Sequence, residues 1–341
     1  MKQFIIILSL LLITVGCNKK EGELDLDYHY DNSLYQVYTP YRAGVNNNYN
    51  VNRIMSKLDL EEVELGLMRI STKYFALSKH YYQAGQYLTT DEIKELLSTE
   101  KLNYTDEVKD YKPKYISYIH EQNYLGKNGE LKGISLGIVL NPYQTFVTEG
   151  GQTKTEEYDI ETLIEFGKEK GKELYSYMKE KKELKDIEIL IALYVQNGFA
   201  SLVPGSYKYE SLSKGDNVNK YNKLEEEHHL LTSSYVNKND IRTYDAFSTF
   251  KELISDEKIS TSVAGRAFYQ NKEIKEIKID VNINYASLGE INALARLIAD
   301  KLPSLFDNKC SIQVNIKDYS DIKAIIIKHK NESQSKLFLI N

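Results

Sequence analysis

The sequence lacks the short motifs that mark the common enzyme classes. It has no Gly-x-Ser-x-Gly elbow, no glycine-rich phosphate loop, no Cys-x-x-Cys pair and no His-Glu-x-x-His zinc helix. It also lacks a basic block, because lysine is always mixed with acidic residues and the net charge is -5. Such a charge pattern gives no electrostatic footprint for nucleic acid. We therefore expect no catalytic residues, no metal, no cofactor and no nucleic-acid partner.

Cysteine is nearly absent as well. The chain contains 2 cysteines, Cys17 and Cys310, and no tryptophan. If Cys17 carries a lipid on its sulfur, Cys310 has no partner within the chain and no disulfide stabilises the protein. Cys310 lies in a strand-like run, where a buried inert thiol is the favoured interpretation and a nucleophile the less favoured one.

One long apolar run is present, and it stands at the beginning of the chain. Lys2 precedes an apolar stretch over residues 4–15, which Gly16 and Cys17 follow. As a helix this stretch would reach roughly 18 Å, short of the roughly 30 Å hydrocarbon core of a membrane. It therefore indicates a signal peptide of residues 1–17. A small residue directly before a cysteine is typical of a lipoprotein cleavage site, with lipid on Cys17. An ordinary secretory signal with a chance cysteine is the alternative.

The rest of the chain is large enough for a sizeable core. With 341 residues, of which 42% are hydrophobic, two domains or one large domain are expected. Residues 18–33 are polar and acidic, which predicts a flexible tether. We assign an N-terminal α+β unit to residues 34–220 and a C-terminal α+β unit to residues 221–341.

Capping patterns place the helices. Asp59 with Glu62, Thr89 with Glu92, and Ser287 with Glu290 each resemble a capping box at the start of an apolar periodic stretch. Further helices are predicted over residues 159–178, where Ile160 is one of the expected inward residues, and over residues 243–255.

The strands suggest an internal repeat. Apolar and polar residues alternate along residues 115–125 and 131–140, and a Gly-Lys-Asn-Gly turn separates the two segments, which predicts a β-hairpin. Residues 260–269 and 273–283 predict a second hairpin. A constant offset of 143 superimposes the second strands, and in the first strands Tyr124 aligns approximately with Phe268 or Tyr269. The fold class predicted is α+β, mainly antiparallel, with a tandem α-β-β-α-β-β pseudo-repeat. The residues that should be buried are Ile134, Leu136, Ile138, Ile277, Ile279 and Val281.

Four polar side chains are candidates for a ligand-binding groove. Arg42 and Arg69 are arginines in a lysine-dominated protein, and arginine suits the bidentate grip of a carboxylate or phosphate. Glu121 and Gln122 lie late in a predicted strand, next to His120. We expect these four to converge on an acidic or peptide-like envelope ligand. For Arg69 taken by itself, contact with an Asp or Glu from another element, or capping of a helix C-terminus, is favoured over contact with a ligand.

Seven segments of the chain carry a family likeness: residues 35–42, 64–71 (ELGLMRIS), 85–88, 119–125 (IHEQNYL), 133–141 (GISLGIVLN), 203–205 and 265–269. They resemble the CamS-type sex-pheromone precursor lipoproteins of Gram-positive bacteria, and the likeness spans nearly the whole mature chain. The resemblance implies a lipoprotein anchored on the extracytoplasmic face of the cell membrane. It also implies that the cleaved signal peptide is trimmed to a short hydrophobic pheromone, which enterococcal donor cells sense. The corresponding segment here is Leu10, Leu11, Leu12, Ile13, Thr14, Val15 and Gly16.

Two other functions fit parts of the pattern. One is a cell-envelope hydrolase or transferase that would use His120, Glu121 and Arg69, although no nucleophile motif supports it. The other is a solute-binding lipoprotein, which the tether and lipid suit. Such receptors usually show alternating parallel βαβ units, and this chain does not.

Overall fold

The computed structural model describes residues 35–46, 54, 56–106, 111–198, 200–257, 261–284, 286–307 and 309–340. The predicted signal peptide and tether, and with them Cys17 and residues 10–16, lie outside this part. The helices of the described residues are α1 (Lys57–Ser71), α2 (Thr90–Leu96), α3 (Ile160–Glu180), a 3-10 turn (Lys182–Leu184), α4 (Ser234–Asn239), α5 (Ile241–Asp256) and α6 (Leu288–Leu305).

Fourteen strands are present in the same residues. They are β1 (Tyr81–Ala84), β2 (Ile116–Leu125), β3 (Leu131–Leu140), β4 (Tyr143–Val147), β5 (Thr153–Glu157), β6 (Glu188–Val195), β7 (Ser206–Ser213), β8 (Asn222–Lys223), β9 (Glu226–Leu230), β10 (Thr261–Gln270), β11 (Glu273–Ile283), β12 (Ser311–Asp318), β13 (Asp321–Lys328) and β14 (Lys336–Leu339).

The strands form two six-stranded sheets and one small hairpin. The first sheet has the order β1-β2-β3-β6-β7-β8 and the second the order β14-β13-β12-β11-β10-β9, while β4 pairs only with β5. Tyr35–Asn341 form one compact unit, in which the chain passes from the first sheet to the second between β8 and β9. The predicted α+β class is confirmed. The predicted division between residues 220 and 221 stays a prediction.

The tandem arrangement extends to the register of the strands. In each sheet an antiparallel hairpin is followed by a helix and then by a strand that pairs in parallel, β3 with β6 and β11 with β12. The two parallel ladders begin at Gly133 and Glu276, which are 143 residues apart, as the sequence offset requires. Both hairpins also carry a register shift directly after an aromatic residue, Tyr124 in one and Phe268 in the other. Tyr124 therefore corresponds to Phe268.

Burial agrees with the repeat. The six residues predicted to be inward, from Ile134 to Val281, are all at most 1% exposed. In each unit a further strand pairs with the hairpin and precedes the helix that leads into it: β1 pairs with β2 and stands before α2, and β9 pairs with β10 and stands before α4 and α5. The order common to both units is thus β-α-β-β-α-β-β, one strand longer than predicted.

Helix α1 is an additional element of the first unit, on the sheet face opposite to α3. Side chains of β3 alternate, and Ser135 contacts Ser71 of α1 through their hydroxyls at 2.7 Å. A Cβ at Gly137 would lie 3.4 Å from Leu67 of α1 and 2.6 Å from the hydroxyl of Tyr207, which donates to the Val63 carbonyl of α1. One at Gly133 would overlap the Phe75 ring. These small residues therefore let α1 and the segment after it approach the sheet. On the other face, a Cβ at Gly167 of α3 would meet Leu140 at 2.9 Å.

Two local predictions were wrong. Helix α1 begins at Lys57, because Ser56 is its N-cap and accepts a hydrogen bond from the Asp59 amide. Asp59 is instead fully buried and accepts hydrogen bonds from the Tyr194 hydroxyl and the Gly205 amide, each at 2.7 Å. Ile160, predicted to point inward, is 39% exposed. By contrast, the capping boxes at Thr89 and Ser287 are present as predicted.

In the described part of the chain, none of the helices has both the length and the apolar character needed to cross a membrane.

Candidate functional site

Arg69 joins the two units. It lies in the last turn of α1, and its Nη2 donates hydrogen bonds to Glu62 Oε1 at 2.6 Å and to Glu226 Oε2 at 2.8 Å. Its Nε contacts the other oxygen of Glu226 at 3.3 Å, so the grip on Glu226 is bidentate. Glu226 begins β9 and is 1% exposed. The interpretation of Arg69 as the partner of a carboxylate from another element is confirmed.

Aromatic and imidazole rings complete this cluster. The guanidinium carbon of Arg69 lies 4.2 Å above the centre of the Phe268 ring, and His228 stacks on the same ring at 4.8 Å. His228 Nε2 is 3.4 Å from Glu62 Oε1. Burial alone would raise the Glu62 pKa, but Arg69 and His228 outweigh it and lower that pKa to about 2. Glu62 is therefore held as an anion.

Glu121 organises the loop before α2. Its side chain accepts hydrogen bonds from three consecutive backbone amides, those of Gln86, Tyr87 and Leu88, at 2.7 to 3.2 Å. It is 2% exposed. Burial raises the pKa of Glu121, although these three amides act in the opposite direction. Both carboxylate oxygens thus have protein partners.

Gln122 and His120 face the other side of the same strand. Gln122 donates to the Glu64 carbonyl at 2.8 Å and accepts from the Tyr124 hydroxyl at 2.8 Å, and it is fully buried. Its amide nitrogen lies 3.2 Å from His120 Nε2. Burial lowers the pKa of His120 to about 4. His120 is therefore neutral near pH 7.

Three of the four predicted groove residues contact different parts of the protein, and the fourth lies at an exposed position. Arg69 contacts the second sheet, Glu121 contacts residues 86–88, and Gln122 contacts α1. Arg42 is exposed. The first three use their polar atoms within the protein, and the partner of Arg69 is 157 positions away in the chain.

A cleft that the sequence did not predict lies where the two sheets meet. We call it the junction cleft and define it by Ile160, Lys208, Tyr209, Glu227, His229 and Tyr235. It has two adjoining lobes of about 660 and 450 Å³, which share Ile160, Lys208, Glu227 and Tyr235. Each volume is within the range of about 300–1,000 Å³ that is usual for small-ligand pockets. No sequence signal marked it, because its walls come from α3, β7, β9 and α4.

The walls of the cleft are aromatic and charged. His229 stacks on Tyr235 with ring centres 3.7 Å apart, and its Nε2 lies 2.9 Å from Glu227 Oε2. Lys168 covers one face of Tyr209 at 3.8 Å. Lys208 is partly buried, and burial lowers its pKa.

The described residues contain no cluster of three or more His, Cys, Asp or Glu side chains placed to hold a metal ion. Cys310 is 2% exposed, and burial raises its thiol pKa to about 12. A thiol with such a pKa is almost entirely protonated near neutral pH and is a poor nucleophile.

These features define a class: tandem α+β proteins whose two units flank an open cleft and are joined by an arginine that pairs with a buried carboxylate. The chain belongs to the CamS sex pheromone cAM373 precursor family, which it matches over residues 41–334. Comparison with curated proteins gave no match.

Two solved structures show the same fold. The sex pheromone precursor from Lactobacillus salivarius subsp. salivarius UCC118 is 22% identical, with a TM-score of 0.79 over 88% of this chain and 93% of that chain. The C-terminal domain of the sex pheromone staph-cAM373 precursor from Staphylococcus aureus is also 22% identical, with a TM-score of 0.74 over 86% of this chain and 99% of that one.

Proposed function

We propose that this protein is a lipoprotein held on the extracytoplasmic face of the cell membrane through a lipid on Cys17. The observation that carries this proposal is the junction of an apolar run with Gly16 and Cys17 at the start of a family member. Two acyl chains give stable attachment, because each buried methylene contributes about 0.8 kcal/mol and one chain alone is marginal. The segment from Leu10 to Gly16 would then leave as part of the cleaved signal peptide, as a short hydrophobic pheromone.

The anchor is tested by Cys17→Ser, with Cys310→Ser as the matched control. We expect the wild type and the Cys310 variant to incorporate labelled palmitate and to sediment with membranes. The Cys17 variant should incorporate none and leave the membrane fraction. If the Cys17 variant stays in the membrane with its first seventeen residues uncleaved, that segment is a transmembrane anchor and the proposal fails.

For the mature part we propose binding of an envelope ligand rather than catalysis. The supporting observation is that the junction cleft is open, whereas Arg69, Glu121 and Gln122 are occupied by protein partners. The cleft offers aromatic surface and charged groups, which together suit an amphipathic ligand.

Hydrogen exchange of the full chain, with and without short peptides prepared from cell-wall material, tests this placement. Added ligand should slow exchange in β7 and β9, which line the cleft. Slower exchange confined to residues 86–88 and 119–122 would instead favour a groove around Glu121 and contradict the cleft.

A further inference from the structure

Lys208 is a partly buried cation in the wall of the junction cleft. Its Nζ has a single contact near hydrogen-bond length in the described residues, the Glu226 carbonyl at 3.4 Å. The charges of Glu227 and Glu226 favour the protonated form of Lys208, but Glu226 is held by Arg69 and Glu227 by His229. Burial disfavours the charged form of Lys208, in agreement with its lowered pKa. An anion entering the cleft would offset that desolvation.

Two strand edges line the same lobe of the cleft. Strand β9 is the outermost strand of the second sheet. Strand β7 pairs with β8 at Tyr209 and Glu210, and the Lys208 carbonyl accepts a hydrogen bond from the Leu224 amide at 2.8 Å, so the β7 edge that faces the cleft without a β8 partner is the part before Lys208. Ser206 and Lys208 of β7 and residues 227–229 of β9 all line the 450 Å³ lobe. Edge strands present main-chain donors and acceptors, to which an extended peptide can add as a further strand. The geometry therefore suits a peptide backbone better than a compact ligand.

Apolar surface is available beside the lysine. Ile160 is 39% exposed and lines both lobes, as does Tyr235, and Tyr209 lines the larger one. Aliphatic side chains of a ligand would bury this surface, which contributes roughly 25 cal/mol per Å² of apolar area removed from water.

We propose that the junction cleft binds a short, apolar, extended peptide and that Lys208 holds its free C-terminal carboxylate. This inference rests on the proposed ligand-binding function and names the ligand class. The peptide backbone would lie along the edges of β7 and β9, with its apolar side chains against Ile160 and the tyrosines. The segment of residues 10–16, Leu-Leu-Leu-Ile-Thr-Val-Gly, has this chemistry once it is released, because it is uncharged except at its ends.

The test uses the full chain in lipid nanodiscs and the synthetic heptapeptide of residues 10–16, with either a free carboxylate or a C-terminal amide. A scrambled heptapeptide and empty nanodiscs measure partitioning into lipid. We expect saturable binding of the carboxylate form, and at least about tenfold weaker binding of the amide, since a charge-assisted contact is lost. The variant Lys208→Gln should bind both forms equally weakly.

Lys223→Gln is the matched control, because Lys223 is an exposed lysine that lines the same cleft. It should bind the carboxylate peptide like the wild type. Equal binding of the acid and the amide by the wild type, or unchanged binding by the Lys208 variant, overturns the assignment of Lys208. If the Lys208 assignment fails in this way, slower exchange in β7 and β9 with cell-wall peptides would still support the proposed ligand-binding function. Failure of the peptide proposal is therefore distinguishable from failure of the proposed function.

Discussion

At the scale of single residues, Arg69 shows why a polar side chain in an apolar stretch need not contact a ligand. Its two carboxylate partners are 11% and 1% exposed, so removing the arginine would leave two anions in a poorly solvated place. Breaking a buried ion pair in this way lowers the stability of the fold, because the remaining carboxylates are still desolvated and no longer have the attraction of the arginine to offset that cost.

We therefore predict that Arg69→Ala lowers the free energy of unfolding by about 3 kcal/mol, near the lower end for buried pairs since the Arg69 side chain is 29% exposed. Urea unfolding monitored by circular dichroism measures it. Arg42→Ala, at an exposed position, is the control and should change stability by no more than about 0.5 kcal/mol. Unchanged stability of the Arg69 variant would mean that this arginine is free to serve another purpose.

Glu62 gives the same cluster a pH dependence. Its pKa falls from 4.5 to about 2 on folding, so the folded state favours the anion. The resulting stability is present above pH 4.5 and is lost as the pH falls toward 2. We predict that Glu62→Gln reduces stability at pH 6 and flattens its decline between pH 4.5 and 2, measured as urea midpoints against pH. Parallel curves for the two proteins would contradict this coupling.

At the scale of elements, the contact of α1 with the first sheet depends on residues too small to obstruct it. Gly133→Ala would place a methyl group against the Phe75 ring, which itself stacks on Tyr124 at 4.7 Å. We predict a loss of about 1–3 kcal/mol of stability, the usual cost of overpacking. Gly150→Ala is the control, because its nearest neighbour would be 3.9 Å away. Thermal unfolding distinguishes them, and equal melting temperatures would show that Phe75 can move aside.

The elements also show how far the sequence could be interpreted. The repeat was predictable because Ile134, Leu136 and Ile138 alternate at the same spacing as Ile277, Ile279 and Val281, and alternation reports burial directly. The parallel pairing was not predicted, although a helix between β3 and β6 is the connection that parallel neighbours require. Alternation is the same for both strand directions, so the periodic pattern alone could not distinguish them.

The candidate site was less predictable than the fold. An acidic partner for Arg69 was foreseeable from its place in an apolar stretch, but Glu226 follows 157 positions later and no local spacing could identify it. Lys208 stands between Tyr207 and Tyr209, where a lysine normally points to solvent. Only the approach of β9 encloses it in a cleft.

At the scale of the whole molecule, the two sheets differ in how their faces are covered. Alternate residues of β3 that face α1, such as Ser135 and Gly137, are small and buried. Their equivalents in β11, Lys278 and Asp280, are charged, and Asp280 is buried only by pairing with the cations of neighbouring strands. The first sheet is therefore packed between helices on both faces, and the second has its main core on one face.

This difference predicts an order of hydrogen exchange. Amides of β3 and β6 should be the most protected in the molecule, those of β11 and β12 should follow, and the edge strand β14 should exchange early, since local stability follows buried contact. Exchange followed by mass spectrometry measures the order. Stronger protection in β11 and β12 than in β3 and β6 would contradict the role assigned to α1.

The shared register and the matching bulges after Tyr124 and Phe268 have a consequence for ancestry. They are the pattern that duplication and fusion of one gene would leave, with the two halves differing on a single face of the sheet. The half that carries α1 has Gly133, Ser135 and Gly137 where the other half has Glu276, Lys278 and Asp280. Relatives of this protein are then best compared one half at a time. A large or charged side chain that the second half accommodates on this face of its sheet would disrupt packing at the equivalent position of the first half.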